Sequence, residues 1–133
     1  MNNYTDILRA HNLKATPQRV AIAELLYLHG HISIDSLYEM MLKTFQSLSL
    51  ATIYKNINIM VENSFIQEVK IANIKSVYEL TKESHSHLVC NKCQNIEDIS
   101  LDLHSIMSDA SKEYGFRVNS TDLVLTGFCK NCA

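Results

Sequence analysis

Leu50, Ile53, Ile57 and Met60 fall on one face of a helix, while Thr52, Lys55 and Asn56 face away. That pattern predicts a helix opening after Ser49 and closing at Ser64. Similar spacing at Leu37, Met40, Met41 and Phe45 predicts a helix capped by Ser33. Thr16-Pro17 reads as an N-cap followed by proline at the first helical position, starting a helix to about Leu28 that Gly30 stops. Tyr4 to about His11 suits a shorter helix before it. Phe65–Ile71 and Ser76–Leu80 are β-rich runs around Ala72-Asn73-Ile74-Lys75, a hairpin signal. Helices followed by a two-stranded wing are the layout of a winged helix-turn-helix, whose last helix enters the DNA major groove.

The pattern changes at Thr81-Lys82-Glu83-Ser84, a short polar hinge. Beyond it, His87–Cys90 and Ile96–Ser100 read as strands. Leu103, Ile106, Met107, Ala110 and Tyr114 mark an amphipathic helix ended by Gly115. Phe116–Val118 and Leu123–Phe128 read as two further strands. The expectation is an α+β chain with a winged-helix domain at 1–80, a hinge at 81–84 and a small α/β domain at 85–133. A unit of that size has too little core to stand alone, so a metal or a partner chain should stabilise it.

Composition adds limits rather than direction. The 133 residues carry 47% hydrophobic and 20% charged residues, ordinary globular values that argue against disorder. No run of about 18 apolar residues offers a membrane span. Met1–Asp6 lacks the basic and apolar blocks of a signal peptide, which favours a cytoplasmic location. The net charge of −2 falls entirely in the back part, because residues 1–80 balance seven Lys/Arg against seven Asp/Glu. The front domain is therefore the less unfavourable partner for DNA, without being a basic arm.

All four cysteines lie in two Cys-x-x-Cys knuckles, Cys90/Cys93 and Cys129/Cys132. In a cytosolic chain a disulfide framework is disfavoured, and four thiolates form a closed tetrahedral zinc site with no catalytic vacancy. The 35 residues between the knuckles are expected to hold a strand, a helix and a β-hairpin, so zinc would clamp the start of the unit to its end. Two unrelated thiol pairs, or a redox Cys-x-x-Cys, are the alternatives.

His85-Ser86-His87 precedes the first knuckle, and side chains two apart on a strand share a face. Asp98 follows on the next strand, Glu79 ends the wing, and His31 lies between two front helices. Nitrogen and oxygen donors without sulfur suit Fe(II), Mn(II), Zn(II) or Co(II). The histidines could equally be solvated loop residues. His11, His29 and His104 have no acidic or histidine neighbour at ligand spacing and read as surface or packing residues.

The outward face of the helix after Ser49 offers a hydroxyl, a phenol, a cation and an amide, suited to phosphates and base edges. An ordinary solvated face is the bland alternative. Lys14 and Arg19, flanking the Thr16-Pro17 cap, could reach phosphate or a minor groove.

These segments together carry a resemblance. Leu13-Lys14-Ala15-Thr16-Pro17-Gln18-Arg19, Leu50-Ala51-Thr52-Ile53-Tyr54-Lys55-Asn56 and His85-Ser86-His87-Leu88-Val89-Cys90-Asn91-Lys92-Cys93 resemble the ferric uptake regulator family, in order and over nearly the whole chain. The resemblance implies a homodimeric, metal-dependent bacterial repressor of AT-rich palindromic operators, with a dimerising back domain. By motif, Cys90, Cys93, Cys129 and Cys132 match the structural Zn(II) ligands. His31, Glu79, His85, His87 and Asp98 match the regulatory Fe(II) or Mn(II) site. Lys14, Arg19, Ala51, Thr52, Tyr54, Lys55 and Asn56 match the DNA-reading region. Glu79 resembles the iron-sensing branch, where peroxide sensors carry Asp. The shortened histidine stretch, and Ser120-Thr121 without a histidine, resemble the peroxide-responsive branch. The expectation is a peroxide-responsive repressor, with an iron-level sensor as the alternative and a zinc-ribbon thiol redox protein as a remote one. His-x-Glu and His-Glu-x-x-His are absent, which argues against a zinc hydrolase and against an enzyme generally.

Overall fold

The computed structural model describes residues 3–133. The chain divides into two compact units, the first running to Lys82 and the second spanning Glu83–Ala133.

The first unit contains α1 (Tyr4–Ala10), α2 (Pro17–His29), β1 (Ile32–Ser33), α3 (Ile34–Leu42), α4 (Leu50–Glu62), β2 (Ile66–Val69) and β3 (Val77–Leu80). Hydroxyl side chains open three of the helices: Thr16 accepts from the Arg19 N–H, Ser33 from Ser36 and Ser49 from Thr52. Each satisfies a backbone donor that the helix itself cannot pair. Pro17 occupies the first turn of α2, and Gly30 closes that helix at φ 81°. The left-handed backbone there turns the chain at once into β1.

Ile53, Ile57 and Met60 of α4 are fully buried, and they pack in one cluster with Leu8, Ile22, Leu26, Leu37 and Met41 from the other helices. At about 1.5–3 kcal/mol for each fully buried aliphatic side chain, this cluster holds the helices as one body. Leu50, expected on the same face, is 38% exposed because it sits at the open end of α4.

The sheet runs β1-β3-β2, antiparallel throughout. The β2–β3 hairpin forms the wing, its turn relaxed by Asn73 at φ 67°. β1 was not foreseen. Two residues show no periodicity, and the strand exists because Ile32 and Ser33 pair with Tyr78 and Val77 of β3.

The second unit contains β4 (Ser86–Cys90), β5 (Ile96–Ile99), α5 (His104–Tyr114) and β6 (Val124–Gly127). Its sheet runs β5-β4-β6, with β4 antiparallel to β5 and parallel to β6. The strand expected at Phe116–Val118 does not form. Gly115 ends α5 in the left-handed conformation, and the chain then travels to β6, which pairs with β4 rather than with 116–118. No hairpin therefore fills the interval between the knuckles. Val89 and Cys90 are the only hydrophobic side chains of this unit among the buried core residues, and α5 buries none of its residues. No helix among the described residues is long and apolar enough to cross a membrane.

Candidate metal centres and nucleic-acid interface

The parallel pairing of β4 and β6 decides where the cysteines go. Cys90 is in register with Gly127, so both strands finish at the same end of the sheet and release a knuckle there. The first knuckle folds back through Gln94, at φ 61°, whose N–H donates to the Cys90 carbonyl at 2.9 Å. The second closes with the Cys132 N–H on the Cys129 carbonyl, also at 2.9 Å.

All four Sγ atoms lie within 4.8 Å of one another, and Cys93 Sγ is 3.9 Å from Cys129 Sγ. A tetrahedral zinc with bonds of about 2.3 Å sets its sulfurs roughly 3.8 Å apart, so the tetrad fits that ion. None of the thiols is in a disulfide. The Cys129 N–H donates to Cys90 Sγ at 3.4 Å, and this contact, first among several backbone N–H groups, holds the Cys90 thiol down at about 6. Cys132 is pushed up to about 12, chiefly by its hydrogen bond with Cys129 and then by burial. A bound cation would displace the protons of these thiols.

Five nitrogen and oxygen donors form two groups, one in each unit. In the first unit, Glu79 is 1% exposed on β3. A carboxylate so buried needs partners. Gln67, its register partner on β2, donates to Oε1 at 2.7 Å, and His31 Nε2 lies 2.9 Å from Oε2. His31 is placed by the Gly30 turn directly after α2.

In the second unit, His87 and Asp98 are register partners across β4 and β5. Asp98 Oδ1 lies 3.3 Å from His87 Nε2 and 3.8 Å from His85 Nε2, and the imidazole centroids are 4.6 Å apart. The Glu83 carbonyl accepts from His85 Nδ1 at 2.8 Å, since a carbonyl cannot donate. That bond leaves the Nε2 lone pair of neutral His85 directed at the same locus as His87 and Asp98, the usual way an outer contact orients a metal-binding imidazole. The expected alternation holds here, with His85 immediately preceding the strand rather than lying on it.

On α4, Ala51, Tyr54 and Lys55 are exposed and Thr52 is half-buried beneath its cap. Asn56, expected to face outward with them, does not. It is 9% exposed, its Oδ1 accepts from Arg19 Nε at 3.1 Å, and its Nδ2 donates to Gln18 Oε1 at 3.4 Å. The periodicity places Asn56 on the boundary between faces, and the start of α2 packs over that boundary. Arg19 is correspondingly not a free cation: its guanidinium also donates to the Lys14 carbonyl at 3.2 Å. Lys14 itself is exposed. Gln18 and Gln67, two neutral amides with no spacing signature, gain these roles only where partners distant in sequence are adjacent.

Residues 10–126 match the ferric uptake regulator family. The chain belongs to that family. Members of the ferric uptake regulator family are transcriptional regulators rather than enzymes. The chain is similar to the crystal structure of the Campylobacter jejuni peroxide stress regulator at 37% identity and a TM-score of 0.75, covering 98% of this chain and 100% of that one. It is similar to the Vibrio cholerae ferric uptake regulator at 27% identity and a TM-score of 0.78, covering 96% and 100%. A curated relative, the peroxide-responsive repressor PerR of Staphylococcus saprophyticus, is 28% identical over 94% of this chain and 86% of its own length. The winged-helix front unit and the α/β back unit are the architecture of this family.

Proposed function

We propose that this ferric uptake regulator family member is a cytoplasmic, homodimeric repressor of AT-rich palindromic operators, switched by Fe(II) or Mn(II) and released by peroxide. The observation that carries the metal switch is the pair of donor groups: His31 with Glu79 in the first unit, and His85, His87 and Asp98 in the second. One ion bound by both groups would fix the angle between the DNA-reading unit and the dimerising unit. In a dimer that angle sets whether two α4 helices reach successive major grooves. Linkage then requires DNA to tighten metal binding by the same factor.

Zn(II) on Cys90, Cys93, Cys129 and Cys132 would be structural, closing a unit that buries little of its own apolar surface. Leu101, Ile106, Tyr114, Phe116, Leu125 and Phe128 are exposed on that unit and supply the surface for a second copy. Lys14, Arg19, Ala51, Thr52, Tyr54, Lys55 and Asn56 form the DNA-reading region. Within it Tyr54 and Lys55 meet DNA directly, and Asn56 holds Arg19 in place.

The peroxide reading is supported by the similarity to the two peroxide regulators. Fe(II), when bound, supplies the reducing chemistry that activates peroxide beside its ligands. The ligand imidazoles of His31, His85 and His87 are the nearest oxidisable groups, and insertion of one peroxide oxygen at a ring carbon, with water as the other product, would spoil the donor set. Glu79 favours a second reading, an iron-level sensor, because its longer carboxylate departs from the aspartate of peroxide sensors.

Peptide mass spectrometry on Fe(II)-loaded protein given stoichiometric peroxide separates the two, with Mn(II)-loaded protein as control. A one-oxygen gain on a ligand histidine, found only with iron and accompanied by lost DNA binding, is the expected result. Unmodified histidines with reversible iron-dependent DNA binding would establish the iron-level sensor.

A further inference from the structure

The wing and α4 enclose a small cleft that the functional reading leaves unused. It measures about 230 Å³ and is lined by Ile34, Asp35, Tyr54, Lys75, Ser76 and Tyr78. Three elements meet there: the first turn of α3, the outer face of α4 and the wing turn. Lys75, at the wing turn, pairs with Asp35 of α3. Both side chains are well exposed, at 78% and 50%. Asp35 holds the Lys75 ammonium above its ordinary value, first by hydrogen bonding and then by charge.

An ion pair this exposed contributes little to folding. It does determine where the Lys75 charge resides. Tyr54, on the face proposed to read DNA, lines the same cleft as Lys75. A duplex strand touched by Tyr54 would therefore bring its phosphates past a lysine already occupied by a carboxylate.

We propose that Lys75 is a DNA-phosphate ligand held in reserve by Asp35, so that binding requires a backbone phosphate to displace the carboxylate. This rests on the reading of α4 as the DNA-contacting helix. Asp35 then acts as a counterweight. It lowers affinity for any duplex that fails to seat its backbone in the cleft, and it repels a phosphate that arrives without taking Lys75.

The test measures binding of the Mn(II)-loaded dimer to a fluorescent AT-rich palindromic duplex of about 30 base pairs, roughly three helical turns, over a range of salt. Each lost phosphate contact removes about 0.9 from the log–log salt slope. Lys75→Ala, missing one contact in each protomer, should therefore flatten the slope by about 1.8, some twelvefold in relative affinity between 50 and 200 mM salt. Lys75→Arg should keep the wild-type slope. Asp35→Asn should tighten binding a few-fold per protomer, on the order of an exposed ion pair released.

An unchanged slope for Lys75→Ala would remove Lys75 from the DNA interface. Equal or weaker binding by Asp35→Asn would overturn the counterweight. If the wild type shows no salt-dependent binding at all, the reading of α4 fails and the proposal fails with it, an outcome separate from either variant result.

Discussion

Replacing Asn56 with alanine separates two roles that look identical in sequence. In the structure its amide joins α4 to the start of α2, accepting from Arg19 at 3.1 Å and donating to Gln18 at 3.4 Å. A hydrogen bond to a charged partner contributes about 1.5–3 kcal/mol, and the longer neutral one about 0.5 kcal/mol. Arg19 is only partly buried, so water can take over some of its N–H groups, and the total falls toward about 2 kcal/mol. For a unit of this size that corresponds to a drop in Tm of about 8–16 °C.

The chain has no tryptophan, so urea unfolding is best followed by far-ultraviolet circular dichroism at constant metal occupancy. Arg19→Ala should cost less in the Asn56→Ala background than in the wild type, because the hydrogen bond the two side chains share is already gone and only the bond to the Lys14 carbonyl is left to lose. A stability loss below about 0.5 kcal/mol together with abolished DNA binding would refute the reasoning. Asn56 would then be aimed at DNA rather than at Arg19.

Two other expected outcomes divide the metal sites by role. Cys93→Ser should lose zinc, unfold the second unit and release monomers, because ligation and folding are coupled in such sites; atomic absorption and sedimentation velocity would show it, and a stable zinc-free dimer would remove the tetrad from its structural role. Asp98→Ala should weaken Mn(II) binding by about 100-fold or more and abolish metal-activated DNA binding while leaving the dimer intact; a monomeric Asp98→Ala protein would erase the distinction between structural and regulatory sites.

The helices of the first unit were legible because caps and periodicity agreed. Thr16, Ser33 and Ser49 each stand at the observed N-cap of a helix, and Ile53, Ile57 and Met60 at zero exposure. The cysteine tetrad was legible from spacing alone. What escaped depended on pairing between distant segments. β1 is defined by register with β3, and the expected hairpin before the second knuckle vanished because β6 joins β4 in parallel. Asn56 was misplaced for a related reason: helical spacing specifies the angle of a side chain, not what lies opposite. His85 and His87 could be put on one side of an extended segment, yet their shared approach to Asp98 required the β4–β5 register.

The absence of buried residues on α5 has a consequence beyond dimer geometry. No α5 residue is fully buried and only Met107, Ser108 and Ala110 are half-buried, so in the proposed homodimer much of the packing that holds this helix would come from the second copy and depend on concentration. Each tenfold dilution of a dimer whose folding and association are coupled withdraws about 1.4 kcal/mol from the assembled state. In such a homodimer, scarcity itself would expose the back unit to proteolysis, and the regulator's lifetime would become a function of its own abundance. A cell that synthesises too little of it would keep even less.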